Sequence, residues 1–128
     1  MPDLNPITLS PEGLNFLKKV EGFKPTVYQD VANKDTVGFG HKVTPKEREQ
    51  LKSGVDEKKA AELLHSDTMW AVRAVNDLVK VPITEDQRNA LTSFVYNVGR
   101  HAFANSTLLK KLNNGKHHEV PSELRRWV

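Results

Sequence analysis

Apolar residues recur at helical spacing over most of the chain and alternate with polar residues in only one short region. The first periodic segment follows Ser10 and Pro11, a pair typical of a helix N-cap and the first helical position. Gly22 is expected to end this helix, because glycine readily adopts the left-handed conformation common at helix C-termini. Glu21 is therefore predicted in the last helical turn or just beyond it.

Residues 26–43 carry the alternating pattern. Thr26 to Tyr28 is β-branched and aromatic, residues 30–35 contain turn-forming residues, and residues 36–43 alternate again around Gly38 and Gly40. Glycine within a strand is typical of places where a backbone or a ligand approaches closely. We expect a small antiparallel sheet here.

The rest of the chain is predicted to be helical, with capping residues or helix breakers marking each helix. The clearest signal is a capping box of Thr84 and Gln87, and Pro82 separates that helix from a long one before it. The predicted helices run from Thr44 to about Gly54, from Asp56 to about Lys80, from Thr84 to Gly99, from Ser106 to Leu112 and from Glu123 to Val128.

These elements predict a mostly helical α+β fold, with a small N-terminal antiparallel β-hairpin sheet and a long connecting helix. The 128 residues are enough for one domain with one core. We expect a single domain, 1–128, with a small β-containing lobe at about 23–55 and a helical lobe from the rest. A cleft between such lobes would suit a polymer substrate.

Composition narrows the possible functions. The chain has no cysteine, which excludes structural disulfides and thiol catalysis, and we expect neither a metal site nor a cofactor. A formal net charge of +3 favours an anionic partner only weakly. The N-terminal residues form no basic leader, and no apolar run is long enough to span a membrane. We therefore expect neither a secretory signal nor stable membrane insertion.

Glu21, Asp30 and Thr36 are the candidate catalytic residues. Glycosidic bond cleavage needs an acid that protonates the leaving oxygen, and a second group across the sugar that holds water or stabilises positive charge. The partial negative charge of a helix C-terminus would raise the pKa of Glu21. By position alone, an exposed glutamate at a frayed helix end is the simpler interpretation. The spacing to Asp30 is also unremarkable in a chain with 16 acidic residues.

Two separated blocks of sequence point to a known family. The first contains Val20-Glu21-Gly22-Phe23, Tyr28-Gln29-Asp30 and Thr36-Val37-Gly38-Phe39-Gly40-His41, and the second contains Asp86–Leu91, Phe94–Gly99 and Phe103–Asn113. Both blocks, in this order, resemble the phage-type lysozymes, the muramidase endolysins similar to phage T4 lysozyme. The resemblance covers most of the chain, from about Ser10 to Trp127.

The resemblance implies a lysozyme-like fold and hydrolysis of the β-1,4 bond between N-acetylmuramic acid and N-acetylglucosamine in bacterial peptidoglycan. Glu21 would be the general acid. Asp30, supported by Thr36, would orient the attacking water or stabilise developing positive charge. Four positions match sugar contacts of the family, namely Lys42, Tyr96, Asn97 and Ser106. The first two differ in residue type from the phage T4 pattern.

The same resemblance implies a biological setting in which the protein lyses the host cell. It would be made in the host cytoplasm, leave through holin-formed lesions and act as a monomer on glycan strands of the periplasmic wall, with no nucleic-acid partner. Family members usually continue past the tryptophan matched by Trp127. This chain stops at Val128, so their C-terminal helices are expected to be absent.

Two other functions stay open at this point. A lytic transglycosylase cuts the same bond without water, which would leave Asp30 and Thr36 without a role. A lysozyme-like module that binds peptidoglycan without cutting it is the non-enzymatic alternative. Elsewhere in the chain, His41 is interpreted as a structural histidine paired with a carboxylate or a carbonyl, and Trp70 as a core residue.

Overall fold

The computed structural model describes residues 9–125 and consists mostly of helices, with one small sheet. The predicted mostly helical α+β class is therefore confirmed. The helices are α1 (Pro11–Glu21), α2 (Arg48–Leu51), α3 (Glu57–Leu78), α4 (Glu85–Val98), α5 (Arg100–Ala104), α6 (Thr107–Asn113) and α7 (Val120–Arg125), with a 3₁₀ helix at His117–Glu119, and the strands are β1 (Lys24–Gln29), β2 (Asp35–Gly38) and β3 (His41–Lys42).

The described chain divides into two compact units. The first is Ser10–Asp67, and the second contains Leu9 and the residues from Thr68 onward. The boundary falls within α3, well beyond the predicted limit of the β-containing lobe at about residue 55. That the chain folds as a single domain stays a prediction. Among the described residues, every helix is too short or too polar to cross a membrane.

Helix α1 begins and ends where the sequence predicts. The Ser10 side chain accepts a hydrogen bond from the Gly13 backbone N–H at 3.0 Å, which satisfies one of the free donors of the first turn. At the other end Gly22 has a φ of 75°, and its N–H donates to the Lys18 carbonyl. This places Glu21 as the last residue of the helix.

The sheet has three antiparallel strands in the order β1-β2-β3. The alternating segment at 36–43 is two strands instead of the one expected, because the chain reverses between Gly38 and His41. Gly38 is required there: its φ is 69°, and a Cβ on it would lie 2.9 Å from the Ala60 Cβ on α3. This contact fixes β2 against the N-terminal part of α3.

Two of the predicted helix starts are wrong. Residues 45–47 form a turn, in which the Glu47 carboxylate accepts from the backbone N–H and the hydroxyl of Thr44, and α2 begins only at Arg48. The last helix begins at Val120, ahead of the predicted Glu123, because Pro121 falls in the first turn, where a missing N–H costs nothing. The predicted residues 126–128 of this helix lie outside the described residues.

The second unit holds a continuous apolar core. The capping box of Thr84 and Gln87 is present, which fixes the start of α4 as predicted. Asn113, in α6, accepts from the Lys80 backbone N–H and donates to the Leu78 carbonyl, so α6 is joined to the end of α3. The buried core residues are Ala71, Ala74, Val75, Val79, Leu91, Val95, Phe103, Leu108, Leu109 and Leu112.

Candidate active site

Glu21 presents its carboxyl from the C-terminus of α1 in a half-buried position. Burial raises the pKa of Glu21, and the positive charge of Lys42 offsets only part of that rise. A Cβ on Gly40, which has a φ of 90°, would lie 3.6 Å from the Glu21 Oε1, so the turn between β2 and β3 lies against this carboxyl. The predicted direction of the pKa change is confirmed, and its main cause is desolvation.

Asp30 follows β1 and opens a tight turn in which its own carboxylate is an acceptor. Its Oδ1 accepts from the backbone N–H groups of Ala32 at 2.8 Å and Lys34 at 2.9 Å. Asn33 has a φ of 61° in this turn, a conformation that asparagine tolerates better than most residues. Asp30 Oδ2 forms an ion pair with the Lys42 ammonium.

These contacts stabilise the charged form of Asp30. The hydrogen bond from Lys42 is the largest cause, the backbone donors add to it, and together they lower the pKa of Asp30 to about 2. The side chain is 17% exposed, so one part of the carboxylate still faces solvent. Asp30 is therefore an ionised, oriented carboxylate at neutral pH.

Thr36 is fully buried on β2, and its contacts define which hydrogen-bonding role its hydroxyl plays. The hydroxyl donates to the Lys34 carbonyl at 2.9 Å, which uses its only hydrogen. Its oxygen can then act only as an acceptor, and Lys42 Nζ lies 3.5 Å from it. The structure thus brings Asp30, Thr36 and Lys42 together. The positive charge of Lys42 also lowers the pKa of Glu21 in part.

His41, the neighbour of Lys42 on β3, is the structural histidine that the sequence predicts. Its Nδ1 lies 2.8 Å from Asp67 Oδ2, and its Nε2 lies 2.9 Å from Glu47 Oε1. Burial lowers the pKa of His41, but the hydrogen bonds and charges of Asp67 and Glu47 outweigh this and raise it. Neither acidic partner is predicted from the sequence, since no local motif connects His41 with residues 6 and 26 positions away.

The other predicted sugar contacts belong to the second unit. Asn97 is exposed, and its side-chain amide donates to the Ser93 carbonyl. Ser106 is buried and caps α6: its hydroxyl accepts from the Leu109 N–H and donates to the Phe103 carbonyl. The Tyr96 ring lies 6.1 Å from the Trp70 ring. Since Trp70 is 42% exposed, its interpretation as a core residue is wrong.

The arrangement in the first unit suits acid–base chemistry at a glycosidic bond. One carboxyl keeps its proton to a higher pH than usual, and a second carboxylate stays ionised far below neutrality. A glycosidase pair needs a separation of this kind, with one carboxyl that can act as an acid and one that is ionised. Among the described residues, no cluster of acidic or histidine side chains is suited to holding a metal ion.

Known proteins that are similar to this chain include lysozymes and endolysins. The family model for phage lysozyme matches residues 18–128. An endolysin of Acyrthosiphon pisum secondary endosymbiont phage 1 is 35% identical over 121 residues, which cover 93% of this chain and 79% of that protein. An endolysin of Salmonella phage P22 is 38% identical over 108 residues, 82% of this chain and 73% of that protein.

The likeness extends to solved structures. The structure of a P22 lysozyme mutant superposes with a TM-score of 0.80 at 31% identity, covering 91% of this chain and 80% of that one. The chain therefore belongs to the phage lysozyme family. Membership confirms the predicted lysozyme-like fold and the predicted class of glycoside hydrolase.

Proposed function

We propose that this protein is a muramidase that hydrolyses the β-1,4 bond between N-acetylmuramic acid and N-acetylglucosamine, with Glu21 as the general acid and Asp30 as the ionised partner. The observation that carries the proposal is the opposite displacement of two pKa values within one unit. Burial raises that of Glu21, whereas Lys42 and the turn lower that of Asp30. Membership of the phage lysozyme family supports the choice of bond.

The polarity of the groups around Asp30 supports hydrolysis by a bound water. An ionised carboxylate has about four acceptor positions. Two backbone N–H groups and Lys42 use three of them, which leaves room on Oδ2. The Thr36 oxygen is an acceptor as well. A water that donates to the open position of Asp30 would direct a lone pair at the anomeric carbon, while the fully buried Thr36 supports Lys42 and the turn beside Asp30.

The proposed reaction balances with these residues alone. Glu21 gives its proton to the leaving oxygen as the glycosidic bond breaks. Water supplies the new C–O bond, and the proton that it releases passes through Asp30 to solvent, which leaves Asp30 ionised again. Glu21 then recovers a proton from solvent, which its raised pKa favours.

A turbidity assay on Gram-negative cells with a permeabilised outer membrane tests the proposal. We expect wild-type protein to clear the suspension and Glu21→Gln to clear almost none of it. Glu12→Gln is the matched control, because Glu12 is an exposed residue in the first turn of the same helix. Equal clearing by Glu21→Gln and wild type would remove Glu21 from the mechanism.

Product analysis separates hydrolysis from the transglycosylase reaction. Hydrolysis adds one water and leaves a reducing sugar, whereas a lytic transglycosylase forms an anhydro product of lower mass. We expect mass spectrometry of digested peptidoglycan to show reducing ends. Anhydro ends would mean that Asp30 does not hold a reacting water. Binding without any product would favour a non-enzymatic module.

The remaining predicted contacts and partners are proposals of the same kind. Tyr96 and Asn97 are the sugar contacts we favour in the second unit. The contact by Ser106 stays a prediction, because its hydroxyl already caps α6. We propose that the protein acts as a monomer and reaches the wall from the host cytoplasm through holin lesions. Light scattering of the purified protein tests the first claim, and expression with and without a holin tests the second.

A further inference from the structure

The register of the sheet places Lys42 at the centre of the site. Thr36 on β2 is directly opposite Lys42 on β3, and Tyr28 on β1 is opposite Thr36 on its other side. Asp30 comes two residues after Tyr28, at the start of the turn. A side chain as long as lysine, placed opposite Thr36, can therefore reach the carboxylate that ends the neighbouring strand.

The Lys42 ammonium contacts both Asp30, to which the proposed mechanism assigns water binding, and Thr36, which supports it. It pairs with Asp30 Oδ2 and lies 3.5 Å from Thr36 Oγ1. The backbone turn fixes only Oδ1 of Asp30, so Lys42 is the group that restrains the other oxygen. The two anchors together define the plane of the carboxylate.

We propose that Lys42 is a positioning residue, which orients Asp30 and adjusts the charge balance between Asp30 and Glu21, in place of the sugar contact that family resemblance assigns to it. The inference rests on the proposed function, because orientation of Asp30 matters only if Asp30 takes part in the reaction.

The charges around Lys42 favour this role. Asp30 pairs with it directly, and its field also acts on Glu21. The nearest acidic residue on β2, Asp35, lies 4.0 Å from the Arg48 guanidinium and accepts from Gln29. Lys42 is thus paired with Asp30, and its positive charge also lowers the pKa of Glu21 in part. Its removal should raise the proton affinity of both.

Kinetics of three variants on purified peptidoglycan test the proposal. Lys42→Met keeps the length of the stem and removes the charge, and Lys42→Arg restores the charge. Lys52→Met is the matched control, because it removes the same charge from a different ion pair. Lys52, the C-cap of α2, pairs with Glu49 on that helix, and both side chains are exposed. Rates are measured across pH to obtain kcat, KM and the limits of the kcat/KM profile.

We expect Lys42→Met to lower kcat about tenfold with little change in KM, because orientation contributes in the transition state. The alkaline limit of kcat/KM should move to higher pH, since Glu21 loses the positive charge that lowers its pKa. Lys42→Arg should recover both properties, and Lys52→Met should match wild type. A raised KM at every pH with an unmoved limit would overturn the proposal in favour of a sugar contact.

A carboxyl NMR titration without substrate separates this inference from the proposed function. In Lys42→Met the pKa of Asp30 should rise from about 2 toward 3.8. If it does so while wild-type protein cleaves nothing, the coupling is real and the muramidase proposal fails. If wild type cleaves and Asp30 titrates identically in both proteins, Lys42 does not position Asp30.

Discussion

The end of α1 and the turn at 30–34 present the same chemical group in opposite states. At the helix end, Glu21 is half-buried and has only a partial counter-charge from Lys42, so its pKa is raised. In the turn, Asp30 receives two backbone N–H donors and an ammonium, so its pKa is lowered to about 2. Desolvation governs the first carboxyl and hydrogen bonding governs the second.

The difference shows how local contacts alone can give two carboxyl groups of one unit opposite protonation behaviour. The two residues lie in the same unit, and each state follows from local contacts. A general acid must hold a proton near the working pH, and a water-orienting group must not. Substitutions at Glu21 and at Asp30 each disturb one side of this contrast.

Substitution at the helix end should have the largest effect. Glu21→Gln keeps the shape of the side chain but cannot donate a proton to the leaving oxygen. General acid catalysis contributes roughly 10²–10⁴-fold, so we expect the initial rate to fall by about 10³-fold or more. The measurement is release of reducing ends from purified peptidoglycan, and a loss below tenfold would mean that another residue is the acid.

Substitution in the turn should have the next largest effect. Asp30→Asn retains an acceptor for the Ala32 and Lys34 N–H groups but loses the charge that pairs with Lys42. We expect about a 10²-fold loss of kcat with near-normal folding, because a neutral amide orients water poorly and cannot take its proton. Full activity in a folded Asp30→Asn protein would show that catalysis does not need an ionised carboxylate at Asp30.

Thr36 should show a smaller effect that depends on its hydroxyl. Thr36→Val removes the donor to the Lys34 carbonyl and the acceptor beside Lys42. We expect about a tenfold lower kcat and a loss of about 1 kcal/mol of unfolding free energy. Thr36→Ser should recover most of the kcat, and an equal defect in both variants would assign Thr36 to packing alone.

His41 should affect stability and leave the contrast intact. Because its pKa is higher in the folded protein than the ordinary 6.5, its pairs with Asp67 and Glu47 stabilise fully below that value. The stabilisation is lost as the pH rises through the folded pKa. We expect His41→Asn to cost about 1–3 kcal/mol in the acidic range and less in the alkaline range. Urea unfolding across pH measures this, and a pH-independent cost would contradict it.

The elements that the sequence predicts best are those set by local hydrogen bonds. Ser10 and Gly22 define α1, and the capping box defines α4, since each signal involves residues close in the chain. The ion pair of Asp30 with Lys42 depends instead on strand register, which the alternating pattern alone did not give. Predicting this ion pair requires knowing that residues 36–43 form two paired strands, which place Lys42 opposite Thr36.

The candidate site also combines features that the sequence predicts with features that depend on tertiary structure. The resemblance supplied Glu21, Asp30 and Thr36 by position, but not how each is held. The raised pKa of Glu21 was predicted from the helix terminus, whereas the structure assigns it mainly to burial, which depends on packing of the chain around it. The two partners of His41 lie 6 and 26 residues away and follow from tertiary structure.

A ¹³C-carboxyl NMR titration of the wild-type protein measures both pKa values, with Glu21→Gln and Asp30→Asn identifying the two signals. We expect Asp30 to titrate near pH 2 and Glu21 to titrate above its ordinary 4.5. Glu21 titrating at or below 4.5, or Asp30 titrating at or above 3.8, would contradict the assignment of acid and ionised partner.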